Sequence, residues 1–319
     1  MNSLLKPSRL NFGDTIGIIA PASAPPDPKS VDRAAQALER FGFKPKLGKN
    51  VRARLGFIAG TDRERAADLM AMFADKKVDA ILCLRGGYGC TRILDRLDYA
   101  LIRRNPKILS GYSDITGLHG ALLKKSGLIS IHAPMLNGAL ADPKVPEFTK
   151  QSFFRTVMEA KPAGSICAGY QDKTVSILRG GIAEGRLVGG NLSLICANLG
   201  TPFAPSFKDK ILFFEDVSEK PYRLDRMLTQ LWNAGVFSQV AGVAVGVNAD
   251  CVDPSAKPGG EYRQSGADVF IERLSALRVP VVVGLPFGHV ELNATIPVGV
   301  RARLDGKRGD LIITEAAVL

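Results

Sequence analysis

The chain has 319 residues, a net charge of +11, and hydrophobic and charged fractions of 46% and 23%. This is the balance of a globular protein long enough for two domains. No apolar run approaches the ~18 residues a membrane span needs, and the basic residues do not cluster with aromatics as nucleic-acid surfaces do, so neither a membrane nor a nucleic acid is an expected partner.

Thr15-Ile16-Gly17-Ile18-Ile19-Ala20 reads as a buried first strand ended by Pro21. Before it, Lys6, Pro7 and Arg9 interrupt any signal-peptide core between Met1 and Asp14, so a cytoplasmic protein is expected. Ser30 is placed to cap a helix carrying Val31, Ala34, Leu38 and Phe41, stopped by Gly42. Thr61 and Glu64 form a capping-box pattern ahead of Ala66, Leu69, Met70 and Phe73, which share one helical face. A strand over Val78–Leu84 runs into Arg85-Gly86-Gly87-Tyr88-Gly89, and a helix with Ile93, Leu94 and Leu97 follows. The alternation continues through Ile108–Gly111, a turn at Ser113, a helix, and Leu128–Ile131. Repeated βαβ units predict an α/β fold with a mostly parallel sheet and helices on both faces, its working groups at the carboxyl ends of strands.

From about Glu159 to Gly181 the pattern weakens, and Lys161-Pro162-Ala163-Gly164-Ser165 has a linker composition. We therefore expect a nucleophile domain over 1–160, a linker over 161–180 and a smaller, β-rich domain over 181–319. In the latter, one helix carries Leu224, Met227, Leu228 and Leu231, and Ala294–Leu304 with Leu311–Ile313 reads as a hairpin.

The chemistry is expected at the strand ends. Ser113 sits in a tight turn between strand and helix, where a hydroxyl stands exposed and the next N–H, that of Asp114, can hold an oxyanion. The match to the G-x-S-x-G elbow is partial, because Ile115 occupies the second glycine position, and Ser113 or Asp114 can equally serve as a helix cap. Arg85–Gly89 fails as a dinucleotide fingerprint, since Arg92 stands where the third glycine belongs; it remains a turn able to offer backbone N–H donors to an anion, or one that needs positive φ.

Only three histidines are available as bases at neutral pH. His119 lies within the helix after Ser113 and is expected to point away from it. His132 follows a short strand. His289 follows the run Val281–Gly288 on a loop held by a rigid strand. Ile211–Phe214 ends in Glu215 and Asp216, which alternate sides of a strand, so only one can orient a given histidine. A serine needs a base, and the base is best held in one tautomer. Ser113, an acid at 215 or 216, and His289 would then meet in a cleft between domains. The five cysteines, Cys83, Cys90, Cys167, Cys196 and Cys251, contain no CxxC pair, so reduced thiols and no metal are expected.

Taken in order, these segments resemble the LD-carboxypeptidase (muramoyltetrapeptide carboxypeptidase) family over nearly the whole chain. The matching elements are Gly13–Ser23, Arg85–Gly89, Gly111-Tyr112-Ser113-Asp114, His132-Ala133-Pro134-Met135, Gly189-Gly190-Asn191-Leu192, Glu215-Asp216-Val217, Tyr222–Arg226 and Gly284–His289. The resemblance implies a Ser113–Glu215–His289 triad, with oxyanion donors on Asp114 and on Gly86 or Gly87. It thus selects Glu215 where alternation could not. It also implies a Rossmann-like parallel-sheet N-terminal domain with a smaller β-rich C-terminal domain, a murein tetrapeptide substrate cleaved before its terminal D-alanine, no cofactor, and a homodimer. Arg85, Tyr112, Asn191, Tyr222 and Arg223 are the expected substrate-binding residues, with Arg226 a further candidate for the terminal carboxylate. Ala133 stands where the family pattern has glycine, which bears on substrate fit. Two other readings carry forward. One is a peptidase of the microcin C immunity type, which cleaves aminoacyl-nucleotide amides and needs an aromatic to stack a base; Trp232, the one tryptophan, sits at a helix end. The other is a non-enzymatic anion-binding protein using the glycine turn.

Overall fold

The structure is a computed structural model that describes residues 4–171, 174–252 and 264–319. In the first half, β1 (Thr15–Ile19), α1 (Lys29–Arg40), β2 (Lys44–Leu47), α2 (Asp62–Ala74), β3 (Ala80–Cys83), α3 (Tyr99–Arg104), β4 (Ile108–Gly111), α4 (Thr116–Lys125), β5 (Ser130–His132) and α5 (Glu147–Met158) alternate. The second half contains β6 (Gly164–Ser165), β7 (Ser176–Arg179), β8 (Ile182–Asn191), α6 (Leu192–Asn198), β9 (Lys210–Glu215), α7 (Pro221–Asn233), β10 (Gly242–Val247), α8 (Gly266–Leu274), β11 (Val281–Gly288), β12 (Ile296–Val298), β13 (Arg301–Asp305) and β14 (Asp310–Ile313).

The first sheet has the order β12-β5-β4-β3-β1-β2, parallel except for β12. Its inner strands β1, β3 and β4 are buried and mainly apolar on both faces, as a sheet covered by helices on both sides requires, while the edge strand β2 is largely exposed. Ile16, Ile18, Ala80, Leu82 and Ile108 pack in one cluster with α1 and α5 residues. The alternate residues Ile19, Ile81, Cys83 and Leu109 pack with α2, α3 and α4. The expected capping box closes α2: the Thr61 side chain accepts from Glu64 N–H, and Glu64 returns the bond to Thr61 N–H.

The second sheet runs β6-β14-β13-β8-β9-β10-β11-β7, with four central parallel strands and antiparallel flanks. One face shares the apolar cluster of the first sheet through Leu187, Ile211, Phe213, Val282, Phe287 and Leu304. The other carries Val188, Leu212, Phe214, Val243 and Val281 against α6, α7 and α8. The expected strand-rich second half thus brings three helices with it.

Four expectations need correction. Ser30 does not cap α1: the helix begins at Lys29, and Ser30 Oγ donates to the Asp27 carbonyl. The segment with Ile93 and Leu94 is a 3-10 turn, Cys90–Arg96. The expected linker is not bare, since β6 and β7 pair with β14 and β11; its residues 172 and 173 lie outside the described ones. The hairpin is β13–β14 alone, because β12 crosses to pair with β5 of the first sheet.

Candidate active site

The expected nucleophile, Ser113, follows β4 directly. Its φ of +62° is left-handed, a conformation that a serine adopts only under the constraint of its surroundings. The constraint is tight packing beneath and beside it. Ile115 side-chain carbons fill the space where Gly111 would carry a Cβ, at 2.8 Å. A Cβ on Gly86 would stand 3.0 Å from Ser113 Cβ and 3.2 Å from its Oγ. The glycine turn after β3 therefore lies against the serine because it lacks a side chain. Ser113 is half-exposed, and its hydroxyl has no hydrogen-bond partner among the described residues.

Three bonds fix that turn. Ser23 N–H donates to the Gly86 carbonyl (3.3 Å), and Tyr88 N–H donates to Ser23 Oγ (3.1 Å). The buried Asp114 carboxylate accepts Cys90 N–H at 2.7 Å, which ties the far end of the turn to the residue after Ser113. Burial pushes the Asp114 carboxyl up from its ordinary range, against the lowering effect of that N–H. The N–H groups of Gly86 and Gly87 donate to no described residue and stand free for an anion. Gly86→Ala is expected to displace the turn by a few tenths of an ångström and to lower kcat about 100-fold with KM little changed, as misplacing an oxyanion donor does; steady-state kinetics on the purified variant checks this.

Glu215 ends β9 and is fully buried, and its Oε2 lies 2.7 Å from His289 Nδ1. The two come together because β11 shifts register against β10 near its end, pairing Gly288 with Val247. Gly288 has φ +129°, and a Cβ there would lie 2.6 Å from the Val247 carbonyl oxygen and 3.2 Å from Glu215 Cβ. Only glycine lets the chain pass this closely and deliver the next residue to the acid. The two acids divide as strand alternation requires. Asp216 turns to Asn191 Nδ2 (2.9 Å), Ser193 N–H (2.9 Å) and Ser193 Oγ (2.8 Å).

The two sheets present these strand ends to each other. Asn191 N–H donates to Thr116 Oγ1 at 2.9 Å, joining the end of β8 to the start of α4. Thr149 on α5 donates to the Glu291 carbonyl (2.6 Å) and accepts Asn293 N–H (2.9 Å), which anchors the loop after His289 on the first half of the chain. The Tyr112 and His289 rings lie 4.7 Å apart between centroids. Burial, and then the Glu215 charge, push the Tyr112 phenol up to about 12, so it stays neutral. His289 Nε2 has no partner among the described residues, and no hydrogen bond yet joins it to Ser113 Oγ. Both groups are uncommitted, and catalytic bonds of this kind commonly tighten only with substrate.

The other two histidines are buried. His119, expected to point away, lies beneath the elbow with Nε2 2.8 Å from the Gly111 carbonyl and Nδ1 2.8 Å from Ser130 Oγ; burial lowers it to about 4. His132 is fully buried under Tyr112 and beside Phe213, and burial keeps it neutral. Neither has the opening to the cleft that His289 has.

Of the five residues expected to touch substrate, Tyr112 lines a cavity of about 690 Å³ beside His289. Arg85 is half-buried, with Nη1 on the Ala24 carbonyl (3.1 Å). Asn191 is buried beside the acids, with Nδ2 2.9 Å from Asp216 Oδ1 and 3.5 Å from Glu215 Oε1. Tyr222 and Arg223 lie on the first turn of α7, outside the walls of that cavity; Arg223 pairs with Glu219, and Arg226 lies over the Tyr222 ring. The supports Ser23, Thr116 and Thr149 were missed, because a lone hydroxyl in a sequence carries no sign of its distant partner. All five cysteines are free.

Comparison with known proteins agrees along the whole chain. Residues 16–133 match the LD-carboxypeptidase N-terminal domain, and residues 184–304 match the LD-carboxypeptidase C-terminal domain. A Bacillus subtilis (strain 168) protein named "Probable murein peptide carboxypeptidase" is 42% identical over 98% of this chain and 95% of its own length. The crystal structure of muramoyltetrapeptide carboxypeptidase from Oxalobacter formigenes superposes with a TM-score of 0.80 at 32% identity, over 94% of this chain and 99% of that one. The microcin C7 self-immunity protein MccF of Escherichia coli is 28% identical over 96% of this chain and 94% of its own. Its complex with glutamyl sulfamoyl guanosine gives a TM-score of 0.86 over 99% of this chain and 100% of that one. With both halves matched and a relative 42% identical along nearly its full length, the chain belongs to the LD-carboxypeptidase family.

Proposed function

We propose that this protein is a serine-type carboxypeptidase that hydrolyses the L,D-peptide bond before the terminal D-alanine of murein tetrapeptides. The observation that carries the reading is a buried carboxylate on His289 Nδ1, with the imidazole ring packed 4.7 Å from that of Tyr112, the residue next to Ser113 and its left-handed elbow. In this reading Glu215 holds His289 in the tautomer whose Nε2 accepts a proton. His289 takes the Ser113 proton as Oγ attacks the carbonyl. Asp114 N–H and Gly86 or Gly87 N–H hold the oxyanion, each such donor being worth roughly 2.7–4 kcal/mol of barrier. The imidazolium protonates the leaving amine, and water repeats the sequence on the acyl-enzyme. Every group comes from the chain, and no step calls for a cofactor.

Arg85 is our choice for the terminal carboxylate. It flanks the glycine turn, and one bond to Ala24 leaves donors of its fork unused. Arg223 is committed to Glu219, and Arg226 to the Tyr222 ring. We place the nucleophile on a domain of residues 1–160 and the acid and base on 181–319, joined through 161–180. No helix among the described residues is long and apolar enough to cross a membrane, and we propose a cytoplasmic homodimer, testable by light scattering of the purified protein.

The names of the Bacillus and Oxalobacter relatives support murein peptide as substrate. The likeness to MccF keeps one comparator in view, although Trp232 here hydrogen-bonds the Arg273 carbonyl and packs on Phe237, outside the cavity walls. The test is release of D-alanine from a murein tetrapeptide, set beside cleavage of glutamyl sulfamoyl guanosine. Faster turnover of the tetrapeptide is the expected result. Cleavage of the nucleoside amide alone moves the protein to the immunity class, and cleavage of neither favours the binding-protein reading.

A further inference from the structure

A second cavity, of about 410 Å³, is framed by α4, β8 and β9 at ends remote from the cleft, and its volume suits a small ligand. Lys124 stands in the last turn of α4, whose first turn follows Ser113, so roughly 12 Å of helix lies between them. Lys210 opens β9, which Glu215 closes roughly 17 Å further on. Arg186 of β8 is the third charge in the walls, and no acid among the described residues lines them.

These cations are short of partners. Arg186 Nη1 donates to the Gly299 carbonyl and to Glu315, at 2.8 Å each, while its Nε and Nη2 donate to no described residue. Lys210 is half-buried; its Nζ donates to the Ser206 carbonyl at 2.6 Å and pairs with no carboxylate among the described residues. Lys124 has no ion pair among them either. Burial, then the Lys124 and Arg186 charges, lower the Lys210 ammonium from its ordinary value, against the opposing pull of Asp209. The frame is tight: a Cβ on Gly120 of α4 would lie 3.3 Å from Pro205 Cδ, and one on Gly299 would lie 3.0 Å from Leu123 Cδ1. Like charges held around a hollow repel one another, and an anion placed among them reverses the sign of that interaction.

We propose that this cavity binds a small anion carrying two or more linked phosphate groups. The phosphates lie among Lys124, Arg186 and Lys210, and the rest of the ligand lies against Leu4, Leu123 and Pro205. Three cations exceed what a single carboxylate neutralises, and the free edge of a guanidinium matches phosphate oxygens. Lys124 comes from the first half of the chain and the other two from the second, so the ligand ties the halves together behind the cleft. The pyrophosphate group is common to inorganic pyrophosphate and to nucleoside diphosphates.

The test is titration calorimetry of the full chain with sodium pyrophosphate, ADP and sulfate, at matched ionic strength and without divalent cations. Pyrophosphate is expected to bind once per chain and at least tenfold more tightly than sulfate. Lys210→Gln, which keeps a donor for the Ser206 carbonyl, and the exposed Lys124→Gln should each weaken it about tenfold. Lys125→Gln makes the same change in net charge, but its ammonium lies over the Phe203 ring, 5.4 Å from the centroid, and it should bind within twofold of the natural protein. ADP binding at least as tightly as pyrophosphate would assign the apolar wall to a nucleoside; weaker ADP binding would assign the site to the free polyphosphate, and both results support it. Absence of binding by pyrophosphate and ADP would overturn the proposal. So would sulfate binding as tightly as they do, or an equal loss in Lys125→Gln, which would reduce the effect to general attraction by a basic chain. None of these readings depends on release of D-alanine.

Discussion

Glu215→Gln is expected to lower kcat by about 10⁴ while KM moves little, the size seen when a triad acid is made an amide. The glutamine would fill the same fully buried space, so the imidazole keeps its position. What changes is the atom 2.7 Å from His289 Nδ1. With the amide NH2 turned to Nδ1, the ring must accept there and carry its proton on Nε2, facing the serine it should deprotonate. With the carbonyl turned instead, the tautomer survives, but the imidazolium formed during reaction has lost its counter-charge. Asp216→Asn is the control. Asp216 receives Asn191, Ser193 and the Val217 N–H, so its loss should show mainly in thermal stability. Equal kcat losses in the two variants, or a Glu215→Gln enzyme within tenfold of the natural one, would take the orienting role away from Glu215.

That division between adjacent acids marks the limit of what the sequence discloses. Alternation along β9 shows that Glu215 and Asp216 diverge, but not which one faces β11, because the pairing of distant strands decides that. Local rules did well where the determinants are local. The buried run at β1, the Thr61–Glu64 box and the strand-to-turn transitions at Gly86 and Ser113 are each written in a few consecutive residues. They failed where partners are remote. β12 reads as part of a hairpin with its sequence neighbours, yet it pairs with β5 of the other sheet. Ser23, Thr116 and Thr149 hold the site through bonds to residues 65, 75 and 142 positions away. Asn191 enters the sequence reading only through the family resemblance, and the fold is what reveals its bond to Asp216. Gly288 could be read as a loop glycine; its necessity comes from Val247 and Glu215, which no local pattern brings near it.

Ser113→Ala and Ser113→Gly should both lose activity, by about 10⁶ in kcat if Ser113 is the nucleophile, and they should part in stability. The hydroxyl makes no hydrogen bond among the described residues, so its removal alone costs the fold little. The backbone at φ +62° is a different matter. An L-residue in the left-handed region is disfavoured by roughly 1–2 kcal/mol, and alanine inherits that cost while glycine does not. Glycine's freer unfolded chain returns roughly 0.5–1 kcal/mol of the gain. Ser113→Gly is therefore expected to be the more stable of the two by about 0.5–1 kcal/mol, read as a higher Tm at one scan rate. Such a pair of results would mean that the elbow holds strain at this residue, with the serine retained there for its oxygen. If Ser113→Ala keeps activity within tenfold of the natural protein, the nucleophile is elsewhere. If instead glycine melts no higher than alanine, the turn is not strained at 113 and its shape owes nothing to exposing a hydroxyl.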